Sequence, residues 1–149
     1  MFKIPSKAEL IEAIRILPDN DKYRYVLAND LVYKVKDTIF IVVPKGFKFD
    51  GDSNPFQLNK YKIDYDKLVA TIPHDYGYQT QFLFRLFWDT LLFYILKDRK
   101  GLLTAWIYYV GVRVFGIFHW RNNQKNLQKF PEAKEKVYKL MCSEYEKEN

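Results

Sequence analysis

The pattern of apolar and polar positions changes character about a third of the way along the chain. Before that point, apolar residues recur at alternate positions over short runs, which is typical of strands. Leu31, Tyr33 and Val35 predict a half-buried strand, and the unbroken apolar run 39–43 predicts a strand covered on both faces. Residues from about 22 to 49 therefore predict a short antiparallel β-meander.

The remaining segments predict helices. Ser6 and Glu9 have the spacing of a capping box, and an apolar stripe continues from there to Leu17 before Pro18. A helical part is expected over about 66–146, and within it the helices after the first are expected at Leu83–Lys97, Leu102–Trp120 and Pro131–Glu146. The predicted fold class is α+β, a meander followed by a packed bundle of about four helices, in a single domain of residues 1–149.

Composition and charge exclude some classes of protein. Hydrophobic residues make up 48% of the chain and charged residues 28%, which excludes a disordered protein. One cysteine, Cys142, excludes an intramolecular disulfide framework. The net charge of +6 favours contact with phosphate-rich surfaces, either an anionic lipid surface or nucleic acid, and does not choose between them. The lack of a nucleic-acid-binding motif argues against sequence-specific nucleic acid binding, and a solubilising surface charge is the simpler interpretation.

Two apolar stretches carry charged residues, and the second is apolar enough to raise the question of a membrane span. The first carries Arg85 and Asp89, and the second, Leu102–Trp120, carries Arg113. Charges at such depths are costly in lipid, whereas neighbouring helices in a protein core can pair them. We therefore expect two buried core helices of a soluble protein, with no transmembrane segment and no signal peptide.

His74 and Asp75 are the first candidates for chemistry. On a helix, His74 and Tyr78 share a face, and Asp75 is rotated by about 100°, so both His74 and Asp75 can border one cleft. A histidine of near-neutral pKa suits a general base, and Asp89 on the next helix is a candidate for fixing its tautomer. The alternative is a helix-interior histidine that hydrogen-bonds a tyrosine or the backbone without any catalytic role.

A loop rich in turn formers supplies further oxygen atoms. Asp50, Asp52 and Ser53 could bind a hard cation together with Asp75, and calcium is the first candidate because zinc would require more histidine or cysteine ligands. Alternatively, Asp50 satisfies loop amides as an Asx-turn. His119 is interpreted as a surface or capping residue rather than a ligand.

Two arginines lie in otherwise apolar helices. Arg85 and Asp89 are an i,i+4 pair, which is often an ordinary surface pair, but their apolar neighbours indicate burial. Buried charges need partners, so Arg113 is expected to bind a carboxylate, with Asp75, Asp89 or Asp50 as the choices.

Taken in order, these motifs resemble a family of small, functionally unassigned proteins found mostly in bacteriophages and prophages. The family's pattern is GFxTD-x-x-SxP, then HDxxY, RxxxD and VRxFG. The matching positions fall within residues 39–120 and are Gly46, Phe47, Asp50, Ser53, Pro55, His74, Asp75, Tyr78, Arg85, Asp89, Val112, Arg113, Phe115 and Gly116. Phe49 and Asp52 depart from the usual threonine and small residue. The resemblance implies one shared site and gives no activity.

The helix around His74 is also similar to the active-site helix of prokaryotic and viral phospholipases A2. That similarity implies His74 as the base, Asp75 as a calcium ligand and Asp89 as the residue that orients the histidine. The glycine-rich calcium loop and the disulfides of those enzymes have no counterpart here.

Two hypotheses for function remain open. The first is a metal-assisted hydrolase of phosphate or lipid esters, with His74 and Asp89 catalytic. The second is a non-enzymatic virion component, or an inhibitor that binds a host protein, in which the polar cluster holds the helices in register. Under either hypothesis we expect a phage-encoded protein in the host cytoplasm or the virion.

Overall fold

A computed structural model describes residues 2–37, 39–51 and 63–148. Its elements in chain order are helix α1 (Lys7–Ala13), strands β1 (Ile14–Ile16), β2 (Tyr25–Leu27), β3 (Leu31–Lys36), β4 (Ile39–Val43) and β5 (Lys48–Phe49), and helices α2 (Tyr65–Thr80), α3 (Arg85–Lys100), α4 (Leu102–Asn123) and α5 (Pro131–Glu148). The strands form one sheet of order β1-β2-β5 and a separate β3-β4 pair. The predicted α+β class is confirmed, and the predicted number of about four helices is close to the five found in the described residues.

The chain divides into two compact units. One unit comprises Met1–Lys48 with Lys129–Asn149, and the other comprises Phe49–Gln128. The candidate chemistry predicted from the sequence falls in the second unit. The single domain expected from the sequence stays a prediction.

Helix α1 begins as predicted and ends early. The Ser6 hydroxyl accepts a hydrogen bond from the Glu9 amide at 3.2 Å, and the Ser6 amide donates to the Glu9 carboxylate at 2.7 Å, which confirms the capping box. The predicted continuation to Leu17 is wrong, because α1 ends at Ala13.

The residues after α1 form a strand instead. Strand β1 pairs antiparallel with β2, so that Ile14 lies opposite Leu27 and Ile16 lies opposite Tyr25. The β-branched isoleucines suit a pleated ladder, and the distant partner strand outweighs their helical spacing. The strand region therefore starts at Ile14 rather than near residue 22.

The second strand pair is covered by the last helix. Strands β3 and β4 are antiparallel, with Leu31 opposite Val43 and Tyr33 opposite Ile41. Strand β4 is buried along all but its first residue, as its unbroken apolar run predicts. Helix α5 packs on β4.

The second unit is a packed set of three helices. Helix α3 packs against both α2 and α4, and its Trp88, Leu92 and Ile95 are fully or almost fully buried. A methyl group on Gly77 of α2 would overlap the indole ring of Trp88, so glycine lets the two helices approach. Pro73 lies inside α2, which continues through it.

Helix α4 corrects one prediction. We expected α4 to be a buried core helix. In the structure, two of its 22 residues are buried, Ala105 and Gly116, so the prediction is wrong. Within the described residues, α4 is the helix long and apolar enough to cross a membrane by length and composition, with a mean hydropathy of 1.3 and 11% of that window buried. The prediction failed because a helix that is apolar on all sides gives no sign in its sequence of which face its neighbours cover.

Candidate functional site

The site is centred on a buried carboxylate. Asp89, on the second turn of α3, is fully buried. Its Oδ1 atom lies 2.8 Å from His74 Nε2 and accepts a hydrogen bond of 2.7 Å from the Tyr78 hydroxyl. Its Oδ2 atom accepts a hydrogen bond of 2.8 Å from Arg113 Nη1. One carboxylate thus joins side chains of α2, α3 and α4, as burial of an ion requires.

Helical spacing explains why two side chains of α2 reach the same oxygen. His74 and Tyr78 are one turn apart, and their ring centroids lie 4.2 Å apart. On α4, a Cβ atom at Gly116 would lie 2.5 Å from the Tyr78 hydroxyl oxygen. The absence of a side chain at Gly116 therefore leaves room for the hydroxyl group beside Asp89.

Arg85 links α3 to α4 at the same place. Its Nη1 atom donates to the carbonyl oxygens of Val112 and Arg113, at 3.2 and 3.3 Å. The same atom lies 4.0 Å from Asp89 Oδ2, which is an ion-pair distance and too long for a hydrogen bond. Arg85 therefore forms a long ion pair with Asp89 within α3 and hydrogen bonds to the backbone of α4.

The protonation states of Asp89 and Tyr78 suit this hydrogen bonding. Burial raises the pKa of Asp89, but the hydrogen bonds from His74, Tyr78 and Arg113 outweigh burial and hold that pKa below its ordinary value. Burial, together with the hydrogen bond to the Asp89 carboxylate, raises the pKa of Tyr78 well above its ordinary value. At neutral pH, Asp89 is an anionic acceptor and Tyr78 is a donor.

His74 has two different environments at its two ring nitrogens. Nε2 faces buried Asp89, whereas Nδ1 lies 4.0 Å from Asp75 Oδ1. Burial by itself lowers the pKa of His74, but the carboxylates of Asp75 and Asp89 outweigh burial, so the pKa is raised above its ordinary value. Because an ionised carboxylate can only accept, Nε2 carries a proton, and Nδ1 is the nitrogen that gains or loses one.

Asp75 connects this buried network to solvent. Its side chain is 27% exposed. Burial raises its pKa, the positive charges of His74 and His119 lower it, and the negative charge of Asp50 raises it, with a net result above the ordinary value. Asp50, which is exposed, and His119 therefore lie within electrostatic reach of Asp75.

The surface position predicted for His119 is confirmed, but its relation to Asp75 was not predicted. His119 is exposed, as expected of a surface residue, yet its charge acts on Asp75. No spacing rule relates a residue near the end of α4 to one on α2. The available signal was that His119 is one of two histidines in the chain, and that Arg113 precedes it on the same helix.

The predicted metal ligands are described only in part. Asp52 and Ser53 lie outside the described residues. Among the residues that are described, no group of three or more histidine, cysteine, aspartate or glutamate side chains is placed to hold a metal ion. Asp50 and Asp75 offer the carboxylate oxygens that hard cations prefer. Calcium stays a prediction that depends on further ligands.

Comparison with known proteins gives a family but no activity. Residues 25–112, more than half of the chain, match the family model described as "Protein of unknown function (DUF1353)". The matched range includes His74, Asp75, Tyr78 and Asp89, and it ends one residue before Arg113. No curated protein and no solved structure matches the chain.

Proposed function

Since this chain belongs to the DUF1353 family, whose function is unknown, we propose its function from the site itself: hydrolysis of phosphate or lipid esters, with His74 as general base. The observation that carries the proposal is the 2.8 Å contact between His74 Nε2 and buried Asp89. A carboxylate that orients a histidine on one nitrogen leaves the other nitrogen available for proton transfer.

The proton transfers follow from this arrangement. Water bound near His74 Nδ1 loses a proton to that nitrogen as its oxygen attacks the carbonyl carbon or the phosphorus of the ester. Asp89 stabilises the imidazolium ion that results, and Arg113 keeps Asp89 ionised. When the ester bond breaks, the leaving oxygen takes the proton from Nδ1, and His74 returns to its neutral form.

Asp75 and Asp50 have the second role in the proposal. Asp75 Oδ1 lies 4.0 Å from His74 Nδ1, and Asp50 lies within electrostatic reach of Asp75, so a divalent cation there would neutralise their negative charge. A calcium ion held by these two residues would polarise the ester oxygen under attack. Ser53, which lies outside the described residues, is the third ligand proposed from the sequence.

One observation favours a second candidate function. Asp89 is fully buried, and its two oxygens are bonded from three helices, which is also how a structural ion cluster fixes helix packing. In that case the chain is a non-enzymatic binding protein, and the cluster holds α2, α3 and α4 in register. The two functions differ in what His74 does, because a structural histidine affects stability without affecting turnover.

A substrate panel tests the proposal. The purified full chain is assayed with p-nitrophenyl butyrate, with bis-p-nitrophenyl phosphate and with phosphatidylglycerol vesicles, each with calcium and with chelator. The expected result is turnover of at least one substrate that is lost in His74→Gln. A wild-type protein inactive on all three under both conditions would remove the support for a hydrolase.

A further inference from the structure

The face of α4 that points away from α2 and α3 is apolar, and none of the described residues covers it. We name it the outer face, and it consists of Leu103, Trp106, Ile107, Val110, Val114 and Phe118, each at least half exposed. Their spacing of three and four residues places them along one side of the helix. Contiguous exposed apolar surface of this kind marks a binding surface rather than ordinary protein exterior.

The opposite side of α4 is already occupied. Tyr109 contacts the ring of Phe93, Arg113 pairs with Asp89, and Trp120 packs edge-on against Tyr78, with ring centroids 5.2 Å apart. Turning α4 to bury its outer face would break the Arg113–Asp89 ion pair and leave a buried carboxylate short of a cation, at a high cost. The outer face therefore needs a partner outside this unit.

Charge indicates the chemistry of that partner. Helix α4 contains no aspartate or glutamate. Its carboxyl end carries exposed His119 and Arg121, and Lys125 follows in the next turn. Near its amino end, Lys100 pairs with Asp64 at 2.9 Å and Arg99 lies 3.8 Å from Asp66. The outer face thus combines large apolar side chains with a cationic end, which complements an anionic lipid surface.

We propose that the outer face of α4 docks on an anionic lipid bilayer, with α4 lying along the membrane surface. Twenty-two residues at 1.5 Å each give a contact line of about 33 Å. The apolar side chains enter the region between headgroups and acyl chains, and Arg121 and Lys125 contact the lipid phosphates. This docking does not depend on the proposed hydrolysis.

A second copy of the chain fits the outer face less well than lipid does. Two copies paired through α4 would set one acid-free helix against another, so neither would supply a negative charge for Arg121 and Lys125. Anionic headgroups supply that charge, and the acyl chains cover Trp106 and Phe118 in the same contact.

Vesicle flotation tests the docking. Full-length protein is floated with vesicles of phosphatidylcholine alone and with vesicles containing phosphatidylglycerol, at low and high salt. We expect binding to the anionic vesicles, weakened by salt, and loss of that binding in the double variant Val110→Glu/Val114→Glu. Both positions are more than half exposed, so the fold tolerates the change. Replacing Arg121 and Lys125 with glutamine is expected to weaken vesicle binding about fivefold for each charge that is removed.

The matched control is Ile11→Glu/Tyr138→Glu, which changes the net charge equally at exposed apolar positions of α1 and α5. This control is expected to bind as wild type does. Wild type that stays with the unbound fraction, or a Val110→Glu/Val114→Glu variant that floats as well as the control, would overturn the proposal. So would a wild-type dimer, measured by sedimentation velocity, that this variant dissociates while no vesicle binding is seen.

Discussion

The Nε2 atom of His74 lies 2.8 Å from the Oδ1 atom of Asp89, in a unit where three helices meet around that carboxylate. Arg113 and Tyr78 complete its hydrogen bonding from α4 and α2. The His74–Asp89 pair is thus placed both to orient a base and to fix helix packing. Substitutions at and around the pair separate these two roles.

Asp89→Ala is expected to lower the free energy of unfolding by about 3–5 kcal/mol, because it leaves Arg113 and His74 without their buried anion. Urea unfolding at neutral pH measures the loss. The control is Asp66→Ala, which removes a half-exposed carboxylate 3.8 Å from Arg99 and is expected to cost less than about 1 kcal/mol. Equal losses in the two variants would show that buried Asp89 contributes no more to stability than half-exposed Asp66 does.

Two glycines of α4 provide a matched pair of substitutions. Gly116→Ala places a methyl group against the Tyr78 hydroxyl and is expected to destabilise by about 1–3 kcal/mol. Gly111→Ala meets no atom within 4 Å and is expected to stabilise by about 0.5–1 kcal/mol, because alanine favours a helix. Thermal or urea unfolding measures whether each substitution stabilises or destabilises the protein. Stabilisation by both substitutions would mean that Tyr78 does not need the space at Gly116.

The acid dependence of stability follows from the lowered pKa of Asp89. Its contribution is fully present above the ordinary aspartate pKa of 3.8 and is lost as the pH falls through the lower folded-state pKa. Asp89→Asn should therefore lose less stability than wild type when the pH is lowered from neutral to below that range. Asp30 and Asp64 have lowered pKa values as well, so the difference between the two proteins is the quantity to measure. Parallel acid curves would contradict an ionised, partnered Asp89.

Much of the polar cluster could be predicted from the sequence because several of its residues are close together in the chain. His74 and Tyr78 are one turn apart, and Arg85 and Asp89 sit among apolar neighbours, so burial and mutual pairing followed. Arg113 had three acids to choose from, and only the packing of α4 on α3 places it on Asp89. The relation of His119 to Asp75 could not be predicted because it depends on that same packing.

The errors in the fold have a common cause. Ile14 and Ile16 continue the helical stripe of α1, yet their pairing with β2 decides their structure. Helix α4 has enough apolar residues for a core helix, yet composition does not tell which side its neighbours cover. In both cases the deciding partner lies far away in the sequence.

A calcium ion is expected to raise the melting temperature of the wild-type protein through Asp75 and Asp50. At a hundredfold excess over its dissociation constant, a ligand adds about 2.7 kcal/mol to stability. The measurement compares melts in calcium and in chelator for wild type and for Asp75→Asn, which keeps the shape of the side chain and removes its charge. A wild-type melting temperature that is the same in calcium and in chelator would exclude a stabilising calcium ion. A shift in wild type that is absent in Asp75→Asn would support the site.

The rate of ester hydrolysis by His74→Gln is the decisive measurement, because the proposed mechanism requires His74 to accept and return the proton. The best substrate of the panel is assayed with wild type, with His74→Gln and with Asp66→Asn as the surface control, after circular dichroism shows equal helix content. The prediction is that His74→Gln lowers kcat about 10²- to 10⁴-fold while Asp66→Asn keeps the wild-type rate. A folded His74→Gln variant that hydrolyses the substrate as fast as wild type would contradict it.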